Sequence, residues 1–251
     1  SGSDAAALKT KATITNEGYS LNGSKSFISG GGFSDLYVVL CRTGDQTPNG
    51  ISMVLVEDGQ NGLSFGKKEQ KMGWKAQPTA IVQFDNCSIP ASNLVGEEGA
   101  GFKYAMEGLD GGRLNIAAAS LGGAQKSYEI AKAYSKERSA FGKPISRFQS
   151  IEFKLADMAT QLESARLFLR NAAWKLDNSK PDASVSVAMA KRLVTDVSFE
   201  VSNTALQILG GYGYLEEYGI EKIVRDLRVH QILEGTNEIM RVIIARAILS
   251  E

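Results

Sequence analysis

The sequence predicts an α+β protein: an antiparallel β domain, sandwich- or barrel-like, over residues 1–93, then an antiparallel four-helix bundle over residues 94–251. Three observations carry this. Apolar and polar residues alternate in short runs across residues 11–89, and from Phe102 onward apolar residues recur at three- and four-residue spacing. Turn residues separate the early runs. Three of the later stretches run past 25 residues, so they need one another or a second subunit to pack against.

The expected strands are 12–15, 19–21, 26–28, 36–41, 51–56, 63–65 and 80–84. Asn22-Gly23, the glycines at 30–32, Asn49-Gly50 and Asn61-Gly62 supply turns between them, the pattern of an antiparallel sheet. The expected helices are 102–134, 150–176, 183–209 and 236–249, each long enough to hold a place in a bundle. Pro181-Asp182 is a start signal for the third, and Gly210-Gly211 is its stop.

Of the 251 residues, 43% are hydrophobic and 22% charged, with no net formal charge. No basic excess exists to attract nucleic acid or an anionic membrane, so neither is expected as a partner. No apolar run approaches the ~20 residues of a membrane span, and no signal or transit segment is expected. Cys41 and Cys87 lie in strand-like stretches. They read as buried reduced thiols, which fits a cytosolic or matrix-like compartment.

Several segments could carry chemistry. His230-Gln231-Ile232-Leu233-Glu234-Gly235-Thr236 puts a carboxylate between an apolar run and a turn that opens a helix. A carboxylate poorly solvated there takes up a proton more readily, which suits a base, although an ordinary loop carboxylate reads the same way. Glu238 sits in the first helical turn, where it complements the helix dipole and reaches back toward Thr236 as a cap. The glycines of Gln207-Ile208-Leu209-Gly210-Gly211 let backbone amides approach an anion or a ring; equally they end a helix. Alternation puts Phe27 and Ser29, flanking Ile28, on one face of a strand, where they suit either a planar ligand or an ordinary sheet surface. Asp110-Gly111-Gly112-Arg113 could bind a polar ligand or form a local ion pair, and Arg138 ends a helix or meets a phosphate. The lone histidine, His230, lacks ligand-spaced partners and reads as structural, so no metal site is expected.

Together these segments resemble the acyl-CoA dehydrogenase family along the whole chain. Ser1-Gly2-Ser3-Asp4 is similar to the end of the family's first signature. The run from Gln207 through Gly210, Gly211, Gly213, Glu217 and Lys222 to Asp226 matches the second at every fixed position. Leu233-Glu234-Gly235-Thr236 is similar to the catalytic turn. The resemblance implies FAD-dependent α,β-desaturation of an acyl-CoA thioester, in which Glu234 takes the α-proton while the β-hydride goes to the flavin. Hydrogen bonds that include the catalytic glutamate's own amide polarise the carbonyl. By the same resemblance Ser3, Phe27, Ile28, Ser29, Arg138, Phe148, Gln149, Gln207, Ile208, Leu209, Gly210, Gly211, Thr236, Asn237 and Glu238 are expected at the cofactor. Ser3, Asp110, Gly111, Gly112, Arg113, Gly235 and Arg246 are expected at the substrate.

Some members of the family carry the base just before Arg113; here that position is Gly112, which leaves Glu234. The stretches Lys25–Gly30, Gly108–Ala117 and Arg228–Glu238 look most like the members of valine catabolism that convert isobutyryl-CoA to methacrylyl-CoA. A short branched acyl-CoA is therefore the expected substrate. The alternatives are a short straight chain, an acyl-CoA oxidase on the same fold, or an assembly core without chemistry. The family further implies electron-transferring flavoprotein as acceptor, a homotetramer built as a dimer of dimers, and a mitochondrial matrix location in a eukaryote or the cytoplasm in a bacterium. Because the sequence opens inside the first signature, the family's N-terminal helical domain is expected to be absent from it.

Overall fold

The computed structural model describes residues 2–250; Ser1 of the first-signature resemblance lies outside the described residues. Two compact units divide between Gly108 and Leu109.

The first unit is built on one six-stranded sheet. Its strands are β1 (Lys11–Thr15), β2 (Gly18–Ser29), β3 (Leu36–Arg42), β4 (Ile51–Glu57), β5 (Leu63–Phe65) and β6 (Thr79–Pro90), in the order β4-β3-β1-β2-β6-β5. Every pairing is antiparallel except β1 with β3, so the sheet is mixed where a purely antiparallel one was expected. That parallel contact is a single pair, Lys11 with Arg42, between strands remote in sequence, and no local turn announces it. Alternation works as read in β3, where Tyr37, Val39 and Cys41 are buried while Leu36 and Val38 are exposed. With Leu21, Val54, Val56, Val82, Phe84, Cys87 and Ile89 they form the core of this unit.

Two bulges change the expected strand plan. The runs 19–21 and 26–28 belong to one strand, because Asn22-Gly23 is absorbed opposite β6 and makes no hairpin. There Asn86 adopts φ 48°, two β6 residues oppose one, and Phe84 and Cys87 both turn into the core. A second bulge sets Ser26 and Phe27 against one residue of β6, with Phe27 at φ 57°. Simple alternation therefore does not hold at Phe27, which is 76% exposed. The first unit also extends past residue 93: Leu94 bridges Val54, the Val95 amide donates to Met53 at 2.8 Å, and Ala100 bridges Ile51.

Among the described residues the second unit holds five α-helices where four were expected. They are α1 (Gly101–Glu137, which begins in the first unit), α2 (Gln149–Asp177), α3 (Ala183–Leu209), α4 (Ile220–Arg228) and α5 (Asn237–Leu249). The nine-residue α4 is rich in charge, and its Lys222–Asp226 and Glu221–Arg225 pairs join residues four apart. Its apolar residues Ile220, Ile223, Val224 and Leu227 follow helical spacing, a signal the sequence reading passed over in so short a segment. In α2, Met158, Leu162, Ala165, Leu169 and Ala172 line one buried face. They meet Val194, Val201, Ala205 and Ile208 of α3 and Ala117, Leu121, Ala124 and Ala131 of α1. Gly210, at φ 62° and ψ −136°, ends α3 as the sequence reading expected. Between α1 and α2 lies a hairpin of β7 (Ser139–Ala140) and β8 (Lys143–Pro144), turned by Phe141 and Gly142 at φ 50° and 80°.

Candidate functional site

Glu234 follows a one-turn helix at residues 229–231 and precedes α5. Its turn is unusual: Glu234 takes φ 56° and Gly235 φ 86°. A residue with a Cβ in that region costs roughly 1–2 kcal/mol, so the neighbouring structure must hold Glu234 there. Thr236 then caps α5, its hydroxyl accepting from the Ile239 amide at 3.2 Å. Glu238 does not complete the cap; its carboxylate accepts from Arg241 at 3.2 Å and stays exposed, because the second helical position faces the next turn.

The half-buried carboxylate of Glu234 lies over Gly112 of α1. A Cβ on Gly112 would stand 2.6 Å from its Oε2, so any larger residue would displace the carboxylate from this position. One turn of α1 thus presents three sequence-predicted residues to this turn. Arg113 donates to the Glu234 carbonyl over a long 3.4 Å and to Asp110 at 2.8 Å. Asp110 also accepts from the Ser184 hydroxyl of α3. Both members of the ion pair are buried. Gly111 faces open space and contacts nothing in this cluster.

From the other side comes Lys191 of α3, fully buried, which donates to the Gly235 carbonyl and to Asn237 Oδ1, each at 2.8 Å. The Asn237 amide in turn donates to Thr195 at 3.0 Å and Asp196 at 2.7 Å. Burial pulls the Lys191 ammonium down to about 8, against the field of Asp196. Sequence reading missed Lys191, Ser184, Thr195 and Asp196. A signal for Lys191 was there: it stands four residues after Val187 and three before Val194, on the buried stripe of α3.

His230 is buried as a structural residue, its Nδ1 2.6 Å from the Ser120 hydroxyl. Burial pushes its imidazolium down to about 4. Cys41 and Cys87 are buried free thiols, and burial raises Cys41 to about 11, so it stays a thiol.

A second group of expected residues lines a cavity of about 420 Å³ in the helical unit: Arg138, Ile208, Leu209, Gly210 and Gly211, joined by Tyr134 and Tyr212. Arg138 lies 5.5 Å from the Tyr212 ring centre. A Cβ on Gly210 or Gly211 would meet nothing within 4 Å, so this backbone is open to a ligand. Phe148 and Gln149 open α2 nearby in sequence but do not line the cavity, and Gln207 is exposed on α3. In the first unit, Ile28 and Ser29 line a cavity of about 320 Å³ with Lys25 and Tyr37, without Phe27. Ser3 is exposed just before a short helical turn at Ala5–Ala7, and Arg42 fixes that segment through the carbonyls of Ala6 and Leu8. Arg246 sits in the last turn of α5, about 15 Å along the helix from Thr236, and is exposed. Among the described residues no group of three His, Cys, Asp or Glu could hold a metal, and no helix is long and apolar enough to cross a membrane.

The sequence profile of the acyl-CoA dehydrogenase middle domain matches residues 1–87, and that of the C-terminal domain matches residues 99–249. Mitochondrial isobutyryl-CoA dehydrogenase of Bos taurus is 54% identical over all 251 residues, which span 60% of that relative's length. A chain from the electron transferring flavoprotein structure of Acidaminococcus fermentans superposes with a TM-score of 0.97 at 46% identity, covering 100% of this chain and 66% of that one. Butyryl-CoA dehydrogenase of Megasphaera elsdenii superposes at 0.96 with 46% identity, covering 99% and 65%. The signatures, the mixed sheet with its helical unit, and these matches along the full sequence agree: the chain belongs to the acyl-CoA dehydrogenase family.

Proposed function

We propose that the protein carries out FAD-dependent α,β-dehydrogenation of a short branched acyl-CoA, converting isobutyryl-CoA to methacrylyl-CoA, with Glu234 as the base for the α-proton. The observation that carries this reading is the Glu234 carboxylate, set over Gly112 on a left-handed turn that two cations hold from separate helices. A surface carboxylate needs no such support.

The residues present fit a flavin. Arg138, Gly210 and Gly211 offer a cation and open backbone beside an aromatic cluster, and Ile28 and Ser29 offer a strand edge at a second cavity. FAD, when bound, would accept the two electrons that leave with the β-hydrogen. Glu234 takes the other hydrogen, the α-proton, as the carbon–carbon double bond forms. The Glu234 and Gly235 amides sit where a left-handed turn exposes N–H groups, a suitable place to polarise the thioester carbonyl. Asp110 neutralises Arg113, so the cation anchors the turn without adding a free charge to the site.

The 54% identity to isobutyryl-CoA dehydrogenase favours the branched substrate, and the bovine relative's mitochondrial name supports the matrix for a eukaryotic source. A bacterial source would place the protein in the cytoplasm. The 46% identity to butyryl-CoA dehydrogenase supports a short straight chain as second reading. The likeness to a chain of an electron transferring flavoprotein structure supports that flavoprotein as acceptor. The long helices, with Phe153, Leu167 and Trp174 of α2 exposed, suit a homotetramer made as a dimer of dimers. An acyl-CoA panel read by flavin absorbance tests the reading. Isobutyryl-CoA should bleach the flavin fastest, and oxygen should be consumed slowly without the acceptor protein. Fastest bleaching by butyryl-CoA would favour the straight-chain reading, rapid oxygen uptake an oxidase, and absence of flavin an assembly role.

A further inference from the structure

We propose that Lys191 is a positioning residue for the Glu234 turn: its buried ammonium clamps the Gly235 carbonyl and the Asn237 side chain, and so fixes where the Glu234 carboxylate sits. This inference rests on the reading of Glu234 as the base.

Lys191 is among the largest fully buried side chains, and burial of an ammonium costs several kcal/mol unless its donors are met. Hydrophobic packing of α3 does not require it, since Val187, Ala190 and Val194 on the same stripe pack without polar atoms. What the ammonium meets is specific. One acceptor is the carbonyl of the residue after Glu234, and the other is the first residue of α5. These contacts bracket Thr236, the cap of α5. Arg113 holds the preceding peptide through the Glu234 carbonyl, but at 3.4 Å that contact is the weaker one. Two consecutive peptide groups are therefore anchored by cations from two helices, with the shorter bond made by Lys191. Such anchoring suits a turn whose two central residues both have positive φ and whose glutamate is strained there. It also suits catalysis, in which a displacement of about 1 Å at the reacting group costs on the order of 100-fold in rate.

The charged and titratable groups that face the ammonium are Asp196 on its own helix, Arg113 on α1, Glu234 in the turn, Glu238 on α5 and His230 before the turn. With the neutral amine near pH 8 and above, the clamp loses its charge-assisted bonds while the packing around it stays.

Lys191→Met in the flavin-loaded protein tests the proposal. The rate of flavin reduction at saturating isobutyryl-CoA should fall about 10–100-fold, while the half-saturating concentration should change less than about threefold. A second readout does not depend on the flavin: hydrogen–deuterium exchange over residues 229–241 should quicken in Lys191→Met and stay unchanged in Glu234→Gln. A third uses the unaltered protein and decides the matter if the variant does not fold or load flavin: its saturated rate should fall as pH rises through about 8. A native rate or native exchange in folded Lys191→Met, or an unaltered protein whose rate is flat to about pH 9.5, would overturn the clamp. Glu234→Gln separates the two readings. If it still reduces the flavin, the base assignment itself fails; if it is inactive while Lys191→Met is fully active, only the clamp fails.

Discussion

Glu234 and Gly112 work as a pair, because the missing side chain of one makes the space that the other's carboxylate fills. Gly112→Ala would press its new Cβ on the tip of a flexible side chain, so the fold can yield by moving the carboxylate. Alanine is also the better helix former by about 0.5–1 kcal/mol. The expected outcome is a thermal stability equal to or above that of the native protein, with flavin reduction slowed about 10–100-fold, read by melting and rapid-mixing absorbance. His230 makes a different prediction. Its folded value of about 4 lies below the unfolded 6.5, so as pH falls the unfolded chain takes up the proton first. Stability should therefore drop between pH 6.5 and 4, and His230→Gln should flatten that drop in denaturant titrations. Lys191 marks where residue-level reading of the sequence stopped. A lysine is ordinarily taken as solvent-facing, and only its place on the buried stripe of α3 contradicted that.

At the scale of elements, the stop of α3 joins fold to candidate cofactor site. Gly210 needs a conformation that only glycine adopts easily, whereas Gly211 has ordinary φ; neither has a neighbour within 4 Å of a built Cβ. Gly210→Ala should cost roughly 1–3 kcal/mol from backbone strain alone, and Gly211→Ala should cost little, both measured by chemical denaturation. Equal costs would mean that the turn is held by something other than backbone conformation. The long helices were legible because 27 or more residues repeat their spacing many times. The short α4 was passed over, although Ile220, Ile223, Val224 and Leu227 keep helical spacing, because its roughly two and a half turns repeat that pattern only once. Strand alternation was legible in β3 and failed at Phe27, where a bulge shifts the register and the residue type does not announce it.

Over the whole molecule, the order of a β unit followed by a helical unit was readable from the change of period, whereas the first compact unit runs on to Gly108. Residues 94–100 were read with the helical bundle, yet Leu94 and Ala100 bridge Val54 and Ile51 and belong with the sheet. The candidate base was readable as a residue but its surroundings were not, because Gly112, Arg113 and Lys191 reach Glu234 from 43 to 122 positions away in sequence. Removal of the α-proton through Glu234 is the step on which the proposed activity of this assembled site depends. Flavin absorbance in Glu234→Gln after rapid mixing with isobutyryl-CoA tests it most directly. The variant should fold, load flavin and show no bleaching; bleaching at the native rate would mean that Glu234 is not the base.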